Sequence, residues 1–201
     1  MSKKLNSIFL VILVLTLTLA ISGCAKAAGL TNLQANMALS GIPQFQQPVS
    51  GTGISIGSWG PGDGDHVGPD NYAIDYIGPA GTSIYPTLAG VVVFSGSVSD
   101  GYGDVVAIRH SDDQNWNTNY YSIYAHLTGD GLPNVGDSVN TGTIIGYMGN
   151  TGTTTIHLHF AVRSSDQVYD GAQALYGQNL NPYELFTPAF DIRTLFGIIN
   201  P

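Results

Sequence analysis

From residue 73 to residue 162 the chain is a succession of short β-rich runs, each closed by a cluster of Gly, Asp, Asn or Ser. The runs fall at 84–85, 90–94, 105–109, 120–127, 143–148 and 157–163, and no part of this stretch repeats apolar residues with helical spacing. Such runs read as strands joined by tight turns. The composition agrees, with 26 Gly, 11 Tyr and only 10% charged residues. The predicted fold is therefore all-β, a compact antiparallel domain of sandwich or open-barrel type. A chain of 201 residues has room for one such domain and its flanks.

The flanks differ in character. Lys3 and Lys4 precede an apolar stretch at 8–21, shorter than the roughly 20 residues that span a bilayer, so the N-terminus reads as an export signal. Its end, Ile21-Ser22-Gly23-Cys24, resembles the bacterial lipobox, in which the cysteine is lipidated and becomes the mature N-terminus. Cys24 is the only cysteine, so no intramolecular disulfide can form. The competing reading is an ordinary signal cleaved after Ala25-Lys26-Ala27. The expected organisation is a signal at 1–23, a tether at 24–50, the domain at 51–165 and a C-terminal extension at 166–201. Short helices are expected at 30–39 in the tether and at 181–186 in the extension. Loss of 1–23 leaves 4 basic residues against 14 acidic ones, a formal charge of −10. That charge repels phosphate backbones, and nucleic acid is excluded as a partner.

The chemistry concentrates in few residues. In His157-Leu158-His159 the strand alternation sends Leu158 to the core and both imidazoles to the other face, roughly 7 Å apart. Two imidazoles on one face suit a metal or a proton transfer, although an exposed strand carrying two histidines is the plainer alternative. Within 120–127 the same alternation groups Ile123, Ala125 and Leu127 on one face and Ser122, Tyr124 and His126 on the other. Asp75 is an acid inside the apolar run 72–76, and such a carboxylate needs a partner. His66 stands nine positions upstream, after the Gly-rich loop 60–64. There is no H-E-x-x-H, and the only glutamate is Glu184, so a zinc hydrolase built from this chain must use His or Asp as its acid and base. His110 ends a run and is expected to carry no chemistry.

Several of these segments together resemble the lysostaphin/LytM-type zinc endopeptidases. They are Ala73-Ile74-Asp75 with Pro79-Ala80-Gly81-Thr82, then Gly101-Tyr102-Gly103-Asp104, Tyr124-Ala125-His126-Leu127, Gly149-Asn150-Thr151-Gly152 and His157-Leu158-His159-Phe160, in the family's order. The likeness covers roughly residues 62–163. It implies one Zn²⁺ held by His66, Asp75 and His159, with His126 and His157 as the catalytic pair. It also implies a substrate groove, with Tyr124, Asn150, Thr151 and Gly152 as its expected lining. The implied activity is hydrolysis of a peptide bond in peptidoglycan, by a monomer in the cell envelope, lipid-anchored through Cys24. One departure stands out: the commonest pattern has His four residues before the Asp, where this chain has Asn71, and His66 fits a longer-spaced variant.

Three rival readings compete with this one. A catalytically inactive relative, serving as scaffold or activator of other wall hydrolases, is the main one. A biotinyl- or lipoyl-type carrier needs a modifiable lysine in the domain, and after removal of 1–23 only Lys26 is left, in the tether. A calcium site at Asp63, Asp65 and Asp70 lacks EF-hand spacing, and solvated turn acids are the plainer reading.

Overall fold

The computed structural model describes residues 45–63, 66, 68–110 and 119–182. Residues 24–44 of the expected tether, Cys24 among them, Asp65 and most of the 181–186 segment lie outside the described residues. The chain divides into two units, Met1–Pro43 and Gln44–Pro201, and the described residues all belong to the second.

Among the described residues are ten strands: β1 (Ser55–Trp59), β2 (Ile74–Ile77), β3 (Ser83–Ile84), β4 (Gly90–Val98), β5 (Gly103–His110), β6 (Asn119–Leu127), β7 (Ser138–Val139), β8 (Gly146–Tyr147), β9 (His157–Ser165) and β10 (Gln178–Leu180). The all-β, antiparallel expectation holds. Eight strands make one sheet in the order β1-β2-β9-β6-β5-β4-β7, with β10 pairing β9, while β3 and β8 form a separate ladder. Every pairing is antiparallel. Two 3-10 turns, Gly68–Asp70 and Gly171–Tyr176, lie among the described residues, and Pro182, the last of them, is helical.

Apolar residues cover both faces of the large sheet, as alternation along buried strands requires. One face carries Ile74, Tyr76, Ile108, Tyr124, Leu158 and Phe160. The other carries Ala73, Ala107, Tyr121, Ile123, Ala125 and Ala161. Packing extends beyond 51–165 at both ends. Phe45 and Val49 join the first cluster, and Ala174 and Leu175 join the second.

The expected strands need correction in two ways. The run at 143–148 supplies only the two-residue β8, and β1, β7 and β10 match none of the expected runs. A two-residue strand has too few positions for a period to be read.

His110 is fully buried and does the bland work expected of it. Its Nδ1–H donates to the Ala89 carbonyl at 3.0 Å and its Nε2 accepts from the Ser122 hydroxyl at 2.7 Å, with the Phe45 ring 5.1 Å away. Burial lowers its pKa to about 4. The unfolded chain therefore takes up a proton at a higher pH than the folded one. The contribution of His110 to stability is complete above pH ~6.5 and is lost as the pH falls toward ~4. Between pH 7 and pH 5 this group is expected to cost about 2 kcal/mol of unfolding free energy. Chemical denaturation at the two pH values should show that loss in the parent protein but not in His110→Gln. Equal losses in both would refute it.

Candidate metal centre

The site is built on one row of residues across four adjacent strands. Ser58 of β1 pairs with Asp75 of β2, Asp75 pairs with His159 of β9, and His159 pairs with Ala125 of β6. Directly paired residues share a face with their Cβ atoms about 5 Å apart. Asp75 and His159 therefore meet because of register alone, although 84 residues separate them in the chain.

His66 reaches this row from the loop between β1 and β2. Its Nε2 lies 3.3 Å from Asp75 Oδ1, and His159 Nδ1 lies 3.0 Å from the same oxygen. One ligand atom from each of His66, Asp75 and His159 falls within 4.8 Å of the other two. Both His66 nitrogens and His159 Nε2 are buried without a hydrogen-bond partner among the described residues. Burying an imidazole nitrogen unpaired costs about 1–3 kcal/mol. Two imidazoles and a carboxylate are a donor set that Zn²⁺ takes, so these residues fit a divalent cation.

The catalytic candidates stand beside the trio. The rings of His126 and His157 are 4.4 Å apart, and His126 is 5.8 Å from His159. His126 is the one non-glycine residue of positive φ among the described residues, at 60°. The cause is a bulge, because two steps on β5, Asp104 to Val106, oppose three on β6, Leu127 to Tyr124. A bulge re-aims a side chain relative to simple alternation. The expected faces of β6 are corrected accordingly. Leu127 packs with Tyr124, while His126 turns to the opposite side beside His157.

Tyr124 is consequently not a groove residue. It is fully buried, and its hydroxyl bonds the Thr87 backbone N–H at 2.7 Å. Of the expected groove turn, Gly152 lines the depression of about 610 Å³ above the trio, but Asn150 and Thr151 do not. Thr151 instead holds His126 in place. Its carbonyl faces His126 Nδ1 at 2.8 Å and its hydroxyl donates to the Leu127 carbonyl at 2.7 Å. Gly103 lies so close that a Cβ there would meet the Thr151 carbonyl oxygen at 2.2 Å, which explains glycine at that turn.

Three further residues were missed in the sequence reading. Asp70 takes bonds from Arg163 Nη2 at 2.6 Å and from the Tyr102 hydroxyl at 2.5 Å, and lies 3.4 Å from His159 Nε2. It is therefore engaged behind the trio and not in a calcium loop with Asp63, whose carboxylate accepts the Trp59 N–H. Arg163 carries a detectable signal, since positions 157, 159, 161 and 163 alternate onto one face of β9. Ser58 and Asp70 carry none, because register and a loop bring them in.

The electrostatics follow from these contacts. Burial raises the carboxylate of Asp70, but its bonds with His159, Tyr102 and Arg163 outweigh that and lower it to about 2. Burial likewise opposes ionisation of Asp75, yet His159, His66 and Ser58 hold it well below the usual carboxylate range. Burial disfavours charge on His159, but Asp70 and Asp75, one beyond each ring nitrogen, raise it to about 9. His126 moves the other way. Burial and then the neighbouring His157 and His159 lower it to about 4 despite the Thr151 carbonyl, so its ring is neutral at pH 7.

The profile of peptidase family M23 matches residues 69–174. Among curated relatives, the lipoprotein YgeR of Escherichia coli K12 is 34% identical over 151 residues, covering 71% of this chain and 55% of the relative. The murein hydrolase activator NlpD of the same strain is 39% identical over 93 residues, covering 46% of this chain and 23% of the relative. The chain thus spans about half the length of the first relative and about a quarter of the second. Among solved structures, the catalytic domain of EnpA, a prophage-encoded M23 protein from Enterococcus faecalis, superposes with a TM-score of 0.51 at 27% identity, covering 71% of this chain and 95% of that one. Csd3 of Helicobacter pylori gives 0.50 at 29% identity, covering 72% and 33%. The family match takes in more than half of the 201 residues, including the Asp75 strand, the His126 strand and the H-x-H strand, and the chain belongs to peptidase family M23.

Proposed function

We propose that this chain is a zinc-dependent endopeptidase that hydrolyses peptide bonds of peptidoglycan. The observation that carries this reading is the convergence of five side chains, His66, Asp75 and His159 with His126 and His157, around one depression. His66, Asp75 and His159 would hold the Zn²⁺, which when bound would supply Lewis acidity toward the scissile carbonyl and make a water more acidic.

The other two side chains handle protons. The Thr151 carbonyl can only accept, so His126 Nδ1 carries the hydrogen of the neutral ring and Nε2 carries the lone pair. His157 is oriented alike, with Nδ1 3.1 Å from the Thr155 carbonyl and Nε2 3.8 Å from Asp75 Oδ1. The two rings stand 4.4 Å apart beside the trio. One imidazole removes the proton of the attacking water, and the pair then stabilises the oxyanion and protonates the leaving amine. His126, neutral at pH 7, suits the base role.

A second reading draws on the relative named murein hydrolase activator NlpD: the chain binds the wall and stimulates another hydrolase. Incubating the purified protein with cross-linked peptidoglycan and weighing the fragments separates the two. New amine and carboxyl ends that vanish with chelator support the enzyme. Intact peptide with full metal loading supports the activator. The lipoprotein relatives and the Ile21–Cys24 motif support envelope attachment through a lipidated Cys24. A mature N-terminus without lipid mass would refute that attachment.

A further inference from the structure

Asp75 presents its two oxygens to different neighbours. Oδ1 lies 3.3 Å from His66 Nε2, 3.0 Å from His159 Nδ1 and 3.8 Å from His157 Nε2. Oδ2 accepts the Ser58 hydroxyl at 2.7 Å. We propose that Ser58 is a positioning residue that keeps Asp75 a one-oxygen metal ligand, occupying Oδ2 so that Oδ1 faces His66 and His159.

The backbone is shaped to deliver this hydroxyl. Along β1 and β2, Ile56 pairs with Tyr76 and Ser58 with Asp75, which leaves Gly57 as an extra residue in a bulge. In an unbroken register Gly57 would stand opposite Asp75, and no hydroxyl would reach it. A Cβ on Gly57 would lie 2.7 Å from Ile77 Cγ1, so glycine is what fits there without displacement. Ser58 lies upstream of the stretch that matches the family profile, on the edge strand, part-buried, and lines the depression. A carboxylate with a free second oxygen can swing toward two-oxygen coordination or rotate out of the trio. Outer contacts of this kind are worth about 10–100-fold in metal affinity.

The inference rests on the trio holding a metal, and the experiment separates the two claims. Zinc affinity is measured by chelator competition on the full chain, its Ser58→Ala and Ser58→Thr variants, and His66→Ala as reference. Visible spectra of the Co²⁺-loaded forms and melting of the metal-free forms are recorded alongside. Ser58→Ala is expected to bind about 10–100-fold more weakly with an altered Co²⁺ spectrum, and Ser58→Thr to restore both. Metal-free melting is expected to be the same for the parent and both Ser58 variants. Parent-like affinity in Ser58→Ala overturns the inference alone. So does a weakening that Ser58→Thr does not restore, or one matched by loss of metal-free stability. A parent chain that binds no metal overturns the metal reading and this inference with it.

Discussion

Removing the His126 imidazole, or that of His157, is expected to slow peptide hydrolysis by about 10²–10⁴-fold while the metal stays bound, the usual range for a positioned acid or base. Neither residue belongs to the trio within 4.8 Å, and each has its Nδ1 fixed by a backbone carbonyl. Each ring is therefore oriented for proton transfer and does not need a metal to hold it. The choice of replacement matters at His126. With φ at 60°, an alanine there adds backbone strain to the loss of the ring, whereas asparagine tolerates the left-handed region. His126→Asn and His157→Ala are thus the informative pair. Turnover on a cross-linked peptide and zinc content per chain are the measurements. Zinc lost from His126→Asn would mean that the ring is a ligand, and turnover within a few-fold of the parent would remove it from the chemistry.

What could be read in advance was whatever alternation controls. Strand β9 keeps strict period two from His157 to Arg163, so both histidines were correctly placed on one face with Leu158 on the other. Strand β6 does not. Its bulge adds a residue beside His126 and reverses the faces beyond it, and this is why Tyr124 was expected in the groove but lies in the core. A bulge requires knowledge of the partner strand, which a single run of residues does not contain. The same limit hid Ser58, which reaches Asp75 only through the bulge at Gly57, and Asp70, whose loop is anchored by Arg163 from a strand 93 residues away. The His66–Asp75 approach was legible only through resemblance, since nothing in a nine-residue spacing dictates that the loop folds back.

His66 is also where the largest loss is expected. Of the trio, Asp75 and His159 sit in paired strands and are held by register, but His66 arrives on a loop and is placed by a short backbone link, its N–H donating to the Asp63 carbonyl at 3.3 Å. Its side chain is nonetheless buried, with neither nitrogen hydrogen-bonded among the described residues. Its one polar approach is that of Nε2 to Asp75 Oδ1 at 3.3 Å, within the trio itself. His66→Ala is therefore expected to spare the metal-free fold while weakening zinc binding by more than the 10–100-fold or so of an outer contact. Asn71 occupies the spacing that the resemblance makes the commoner one, yet a neutral amide is a weak zinc ligand beside an imidazole, and Asn71→Ala is expected to bind zinc as the parent does. Melting with and without added zinc reports this directly, because a ligand that binds only the folded state raises stability in proportion to the logarithm of its concentration over Kd. The parent and Asn71→Ala should both gain melting temperature with zinc, and His66→Ala should gain none. A gain in His66→Ala equal to the parent's, or its loss in Asn71→Ala, would assign the third ligand elsewhere.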